Sequence, residues 1–240
     1  MKKEKILSLI PARAGSKGLP SKNKLSFAGM PLVAHAMDFS RQLSEHLDVT
    51  TLVLTNDQEI QQIANEYLGD MGYRREDMLS QDETSMNDTV AHAVEWCGVH
   101  NIDFDWILLL QPTSPLRTID GVLDMIRQAT VHEQKDECCF ASVSPLKVKR
   151  YELIYKGEGG AFRSLARRDS DSRRQKFDSE AVYFEDGAAF LTRASFYQKY
   201  NKLVDGEKME YLLTSSERIT DIDDQEDFDI TEFMFQSRQS

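Results

Sequence analysis

The residues best suited to chemistry lie in one short loop near the start of the chain. An apolar run, residues 6–10 (ILSLI), predicts a buried strand, and residues 11–24 after it are rich in glycine, hydroxyl and basic side chains. Glycines let the backbone approach a ligand, and exposed N–H groups point at phosphate oxygens. Arg13, Lys17 and Lys22 add positive charge, and a guanidinium can bind phosphate through two parallel bonds. The loop therefore predicts a phosphate site.

Two common phosphate-binding motifs are absent from this loop. Neither the Walker sequence, which ends in Gly-Lys-Ser/Thr, nor the dinucleotide pattern Gly-x-Gly-x-x-Gly occurs in it. On the loop alone, an ordinary basic connection between a strand and a helix remains the alternative interpretation.

A second candidate is the pair Asp221 and Asp223. In an extended segment the period of two places both side chains on one face, with Ile222 on the other. Two neighbouring carboxylates suit a hard cation such as Mg²⁺, with phosphate and water oxygens completing the octahedron. An acidic surface turn is the alternative interpretation, because more acidic residues follow at once: Asp224, Glu226, Asp227 and Asp229.

The elements that must position these groups alternate between strand and helix over about the first 145 residues. Apolar and β-branched runs predict strands at residues 5–10, 49–55, 106–111 and 138–143. Helical spacing predicts helices at residues 31–42, 58–68, 88–99 and 118–132. The alternation predicts an α/β fold, a Rossmann-like, mostly parallel sheet with helices on both faces.

Polar residues between these runs predict where two of the helices begin. Asn56 and Asp57 predict a turn and a cap before the second helix, and Asn87 or Asp88 is predicted to cap the third. Ligands of such sheets bind beyond the carboxyl ends of the strands. The loop after the first strand and residues 111–117 after a later one are therefore expected to meet on one rim.

The alternation breaks after residue 143. Short β-like pieces, such as residues 151–155, and a charged run at 167–176 indicate a small insertion of about residues 144–184. A strand then returns at residues 187–193, and a closing helix is predicted at 226–235. We expect a single domain over residues 1–240, with the insertion inside it.

Four segments of the chain resemble one family in the order in which that family carries them. They are residues 11–23 (PARAGSKGLPSKN), 108–117 (LLLQPTSPLR), 173–175 (RRQ) with 185–188 (EDGA), and 221–223 (DID). Together these motifs resemble those of the acylneuraminate cytidylyltransferases, also called CMP-sialic acid synthetases.

The resemblance implies a nucleotidyltransfer reaction. The anomeric hydroxyl of a nonulosonate, a nine-carbon α-keto acid sugar, attacks the α-phosphorus of CTP, and pyrophosphate leaves. Such a reaction needs positioning and charge stabilisation rather than a covalent nucleophile. The catalytic residues that the resemblance implies are Arg13, Lys22, Gln111, Asp221 and Asp223. The CTP-binding residues that it implies are Arg13, Ser16, Lys17, Lys22, Asn23, Arg75 and Ser85.

Asp221 and Asp223 would hold Mg²⁺, with Mn²⁺ as the alternative metal. The acceptor sugar would be bound by Gln111, Thr113, Ser114, Lys149 and Arg174. The insertion corresponds to a dimerisation arm that reaches into the partner's active site, so the resemblance also implies a homodimer.

Two positions depart from the family pattern. Ala14 stands where glycine is frequent, and Asp186 stands where asparagine is usual before Gly187. A carboxylate at position 186 is expected either to repel the acid group of the sugar or to pair with a nearby arginine.

Composition excludes several other classes. The formal net charge of -11 argues against general binding to nucleic acids or anionic membranes. The cysteines, Cys97, Cys138 and Cys139, form no C-x-x-C pair, so neither a zinc site nor a disulfide framework is predicted. Because no apolar segment is long enough to cross a membrane and no signal-peptide pattern opens the chain, we expect a cytoplasmic location.

Alternative functions remain at this point. The acceptor is expected to be an acylneuraminate, with legionaminic, pseudaminic or Kdo-type sugars as the alternatives. A non-catalytic nucleotide-binding protein is the remote alternative. An NAD-dependent oxidoreductase is disfavoured, because the dinucleotide glycine motif is absent.

Overall fold

A computed structural model describes residues 4–15, 18–81, 83–146, 148, 152–156, 158–164, 181–215, 217 and 219–239. Its strands are β1 (Lys5–Pro11), β2 (Ser26–Phe27), β3 (Met30–Pro31), β4 (Asp48–Leu54), β5 (Trp106–Leu109), β6 (Cys139–Leu146), β7 (Ile154–Lys156), β8 (Phe162–Ser164), β9 (Val182–Arg193) and β10 (Met209–Leu213). Its α-helices are α1 (Leu32–Leu43), α2 (Gln58–Leu68), α3 (Met86–Val99), α4 (Ile119–Val131), α5 (Ala194–Tyr200) and α6 (Gln225–Gln239).

The central sheet has six strands in the order β10-β6-β9-β5-β1-β4. β1 pairs in parallel with both β4 and β5, and β10 pairs in parallel with β6. β9 runs antiparallel to its two neighbours, β5 and β6. The prediction of a mostly parallel α/β sheet is therefore confirmed.

Helices cover both faces of this sheet because successive side chains of a strand point to opposite sides. Ile6 and Ile10 of β1 pack into a core with α1, α2 and α4. Leu7 and Leu9 pack into a second core with α3 and α5. Trp106 to Leu109 of β5 are buried along their whole length, as a strand between two helical layers requires.

A smaller core ties the end of the chain to the loop after β1. It contains Leu19, Phe27, Leu32, Ile222 and Phe228. The rings of Phe27 and Phe228 meet edge to face with their centroids 5.4 Å apart. This cluster fixes residues 221–223 beside the loop that the sequence predicts to bind phosphate.

The predicted insertion begins and ends inside the sheet. Residues 144–146 of β6 pair with residues 182–184 of β9, and β7 and β8 form an antiparallel hairpin between them. The single-domain assignment and the role of the insertion stay predictions. No α-helix among the described residues is both long and apolar enough to cross a membrane.

Candidate active site

One cavity of about 530 Å³ lies where β1 and β5 end. Seven of the residues singled out from the sequence line it: Arg13, Lys22, Asn23, Arg75, Gln111, Thr113 and Asp223. The prediction that the two strand-following loops meet on one rim is confirmed. Segments 200 positions apart in the chain, those of Lys22 and Ile222, are in direct contact there.

Side chains and close backbone contacts hold the β1 loop in place. The Ala14 N–H donates to Asn56 Oδ1 over 3.1 Å, and the Asn56 amide donates in turn to Asp77 over 3.0 Å. Asp57 caps α2 as predicted, because its carboxylate accepts the N–H groups of Glu59 and Ile60. The loop therefore rests on the start of α2.

Three cationic side chains face the cavity. Lys22 Nζ donates to the Ile222 carbonyl and lies 3.8 Å from Asp223 Oδ1. Arg75 is 7% exposed, and its Nε donates to the Leu79 carbonyl over 3.1 Å. Burial lowers the pKa of Arg75, and the positive charge of Arg13 lowers it further. An anion between these groups would relieve that repulsion, so the cavity suits a polyphosphate.

The two candidate metal ligands lie on either side of a buried residue. Asp221 and Asp223 are exposed while Ile222 is fully buried, which is the alternation expected of an extended segment. The Ile222 N–H donates to the Thr113 carbonyl over 2.9 Å, which fixes the segment against the loop after β5. Asp223 lines the cavity.

Gln111 and Asp221 both approach Gly187. Gly187 has a φ of +66°, and a Cβ there would lie 2.9 Å from Gln111 Oε1 and 3.6 Å from Asp221 Cγ. A side chain at this position would displace both groups. Ser114 is fully buried, and its hydroxyl donates to the Asp186 carbonyl over 3.2 Å. Ser114 therefore supports the cavity wall from behind, and its contact with a ligand stays a prediction.

Asp186 does not reach the cavity. Its side chain is fully buried, and its Oδ1 accepts the Ala188 N–H over 3.0 Å and the Ser142 hydroxyl. Burial raises the pKa of Asp186, whereas these hydrogen bonds and the positive charge of Arg117 oppose the rise. Arg117 therefore acts on Asp186 through its charge, while its Nε and Nη2 donate to the Ala188 and Gln111 carbonyls, and the described part of the chain shows no ion pair between the two residues.

One wall of the cavity was not predicted from the sequence. Thr84, Met86 and Thr89 form it, at the start of α3. The prediction that Asn87 or Asp88 caps this helix is wrong, because Ser85 is the cap and the helix begins at Met86. The available signal was the Ser85-x-x-Asp88 capping box, in which each side chain accepts the other residue's backbone N–H.

Ser85 does not line the cavity. The Ser85 hydroxyl donates to the Asp88 carboxylate over 2.7 Å, beside the cavity wall. Ser16, Lys17, Lys149 and Arg174 lie outside the residues that the structure describes. Their assignments stay predictions.

Replacing Gly18 by alanine is expected to lower stability. A Cβ at this position would overlap the Asp223 backbone carbonyl oxygen, which no rotamer change can avoid. Overpacking of this kind costs about 1–3 kcal/mol, so the thermal unfolding midpoint should fall by several degrees.

Gly15→Ala is the matched control, because Gly15 lines the same cavity and has no atom within 4 Å of its would-be Cβ. Thermal unfolding followed by circular dichroism compares the two variants with the wild type. Equal midpoints for Gly18→Ala and Gly15→Ala would contradict the close packing of the loop against residue 223.

A family model described as cytidylyltransferase matches residues 7–226 of the chain. The CMP-N,N'-diacetyllegionaminic acid synthase of Legionella pneumophila is 29% identical to it over 98% of each chain. The N-acylneuraminate cytidylyltransferase of Escherichia coli O18:K1:H7 is also 29% identical, over 94% of this chain. This chain spans only about half (51%) of that relative's length.

A solved structure shares the fold. The CMP:2-keto-3-deoxy-manno-octonic acid synthetase complexed with CTP superposes with a TM-score of 0.63, over 98% of this chain and 99% of that one. The two sequences are 16% identical, so this likeness concerns the fold. The overall fold is thus shared with a protein whose structure was solved with CTP bound.

Proposed function

The chain belongs to the cytidylyltransferase family, and from that membership we propose that it transfers the cytidylyl group of CTP to a nonulosonate, with release of pyrophosphate. One observation carries the proposal: seven residues predicted from separate segments of the chain line a single cavity. Three of them are cationic and suit the triphosphate, namely Arg13, Lys22 and Arg75. Gln111 and Thr113 follow β5 and are available to the acceptor.

The proposed reaction forms one bond and breaks another at the same phosphorus. The anomeric hydroxyl of the sugar attacks the α-phosphorus of CTP and releases its proton to the solvent, and the bond from that phosphorus to the bridging oxygen of the leaving pyrophosphate breaks. Negative charge grows on the phosphate oxygens, which Arg13 and Lys22 are placed to stabilise. Gln111 orients the acceptor, so that the two reactants meet in a productive geometry.

Asp221 and Asp223 would hold Mg²⁺. Among the described residues, no group of three or more His, Cys, Asp and Glu side chains is arranged to hold a metal ion. Mg²⁺ commonly takes one or two carboxylates and completes its shell with substrate phosphates and water. The two exposed carboxylates on either side of Ile222 fit that demand, and Mn²⁺ is the alternative. The bound metal would neutralise charge on the phosphates.

We propose an acylneuraminate as the acceptor. Relatives that are 29% identical are named for N-acylneuraminate and for a diacetylated legionaminic acid, so legionaminic acid is the first alternative. Pseudaminic and Kdo-type acids are the others. Because Asp186 is buried away from the cavity, its charge does not bar an acidic sugar.

Pyrophosphate release tests this function. The protein is incubated with Mg²⁺, CTP and each of four acids (N-acetylneuraminic, legionaminic, pseudaminic and Kdo), with UTP, ATP and GTP as nucleotide controls. Release that requires CTP and one of the acids supports the proposal and identifies the acceptor. Binding of CTP with no release for any acid would favour the non-catalytic nucleotide-binding protein.

A cytoplasmic location stays a prediction.

We further propose that the protein is a homodimer joined through the β6-β9-β10 end of the sheet. A groove there is lined by Val143, Tyr183, Glu185, Tyr211 and Leu213. The two tyrosines and Leu213 are each about half exposed, at 47%, 56% and 45%. Apolar side chains clustered at a sheet edge mark an interaction surface.

Leu213→Glu is expected to convert the dimer into a monomer, because it places a charge in that groove. Val131→Glu is the matched control, since Val131 is 76% exposed at the end of α4. Light scattering coupled to size exclusion gives the two masses. A wild-type protein of monomeric mass, or a Leu213→Glu variant that stays dimeric, would contradict this interface.

A further inference from the structure

A bulge in β9 forms the floor beneath the candidate active site. In the ladder between β6 and β9, Ala141 lies opposite Phe190 and Val143 lies opposite Glu185. Ser142 therefore faces four residues of β9, 186–189, where a regular ladder would have one. Bulges of this kind re-aim the backbone next to active sites. Here the bulge brings Gly187 against Gln111 and Asp221.

Side chains replace the ladder hydrogen bonds that the bulge loses. The Ser142 hydroxyl oxygen accepts the Ala189 N–H over 2.9 Å. Asp186 Oδ1 accepts the Ala188 N–H over 3.0 Å, and Ser114 donates to the Asp186 carbonyl. Buried backbone groups need such partners. The shape of the bulge is consequently set by these particular side chains.

Arg117 joins this bulge to Gln111. It is 7% exposed, its Nε donates to the Ala188 carbonyl over 2.9 Å, and its Nη2 donates to the Gln111 carbonyl. A planar guanidinium can bridge two carbonyls in fixed geometry, which a lysine ammonium on its flexible stem cannot reproduce. The nearby carboxylates of Asp186 and Asp221 interact favourably with its charge.

We infer that Arg117 is a positioning residue for cytidylyl transfer, which holds the backbone of Gln111 and the 186–189 bulge at a fixed separation so that the Gln111 side chain faces the acceptor sugar. This inference rests on the proposed function. Arg117 itself does not line the cavity, so it acts through Gln111 rather than by touching a reactant.

Arg117→Lys tests the inference because it keeps the positive charge and removes the bridge. We expect kcat to fall about 30-fold, while KM for CTP and the affinity for CTP measured calorimetrically change less than about twofold. Arg127→Lys is the matched control, since Arg127 is exposed on α4 and ion-paired to Asp124 in the same helix. We expect its kcat to stay within about twofold of the wild type.

The decisive measurement is kcat in a double-mutant cycle with Gln111→Ala. If Arg117 acts through Gln111, the double variant should lose no more activity than Gln111→Ala alone. Losses that multiply would overturn the inference, and so would an Arg117→Lys variant with wild-type kcat.

Ser142→Ala covers the case in which Arg117→Lys does not fold. It loosens the same bulge without changing a charge, and it should lower kcat about tenfold with the same non-additivity toward Gln111→Ala. Losses of kcat that multiply in that cycle would overturn the inference. A wild type that releases no pyrophosphate with any acid overturns the proposed function, and this inference with it.

Discussion

Asp223→Ala should lower the rate of pyrophosphate release about a thousandfold and leave the fold intact. The Asp223 side chain is 84% exposed and lines the cavity. Its removal should therefore change the stability of the core little and the activity of the site strongly. If Asp221 and Asp223 hold Mg²⁺ as proposed, losing one of the two carboxylates weakens metal binding and leaves charge on the phosphates uncompensated. Initial rates are measured over a range of Mg²⁺ concentrations, and thermal unfolding checks the fold.

Glu226→Ala is the control for Asp223→Ala. Glu226 is an exposed carboxylate in the first turn of α6, within the same acidic run, and it does not line the cavity. If residues 221–229 were only an acidic surface turn, the two variants would behave alike. Near-normal magnesium-dependent rates for Asp223→Ala would refute the metal assignment.

Arg13→Ala is expected to reduce kcat/KM for CTP roughly 100- to 1000-fold. Arg13 lines the cavity together with Arg75, and its charge acts on that residue. A guanidinium at this position can bind a phosphate through two hydrogen bonds. The substitution should both raise KM and lower kcat, because the charge on the phosphates increases during the reaction.

Arg74→Ala is the matched control for Arg13→Ala. Arg74 adjoins Arg75 in the chain but lies outside this cavity, half exposed and paired with Asp70 at 3.4 Å. Its removal should change kcat/KM for CTP by less than about twofold. An unchanged catalytic efficiency for Arg13→Ala would show that the loop after β1 does not bind the triphosphate.

The sheet and the rim of the site could be predicted because their signals are local. β1 and β5 are short, mainly apolar and buried runs, and each is followed by a polar motif. In a parallel sheet the carboxyl ends of such strands share an edge, so the motifs had to meet. Likewise, the alternation of exposed and buried side chains around Ile222 follows from the two-residue period of an extended segment.

The start of α3 carried competing local signals, because Ser85, Asn87 and Asp88 are all good caps and the capping box was only one of the possibilities. The structure decides among them by distant contacts. Asn87 donates to the Asn201 carbonyl and accepts the Leu203 N–H, so its side chain is not available to cap the helix. Asp88 completes the capping box instead.

The burial of Asp186 was also beyond sequence reasoning. It depends on pairing between β6 and β9, which brings Ser142 to a residue 44 positions away. A bulge leaves no periodic trace in the sequence, and the motif alone left open whether the carboxylate faces the acid group of the sugar or a nearby arginine. The role of Arg117 was missed for the same reason, although it belongs to the motif at residues 108–117.

The central claim is transfer of the cytidylyl group to an α-keto acid sugar, and labelled CTP tests it most directly. The protein is incubated with Mg²⁺, the active acid from the panel, and CTP labelled with ³²P at either the α or the γ position. We predict that the α label appears in a CMP–sugar ester and the γ label in pyrophosphate, both only when the acid is present. An α label that stays in CTP, or that appears as free CMP regardless of the acid, would contradict the account.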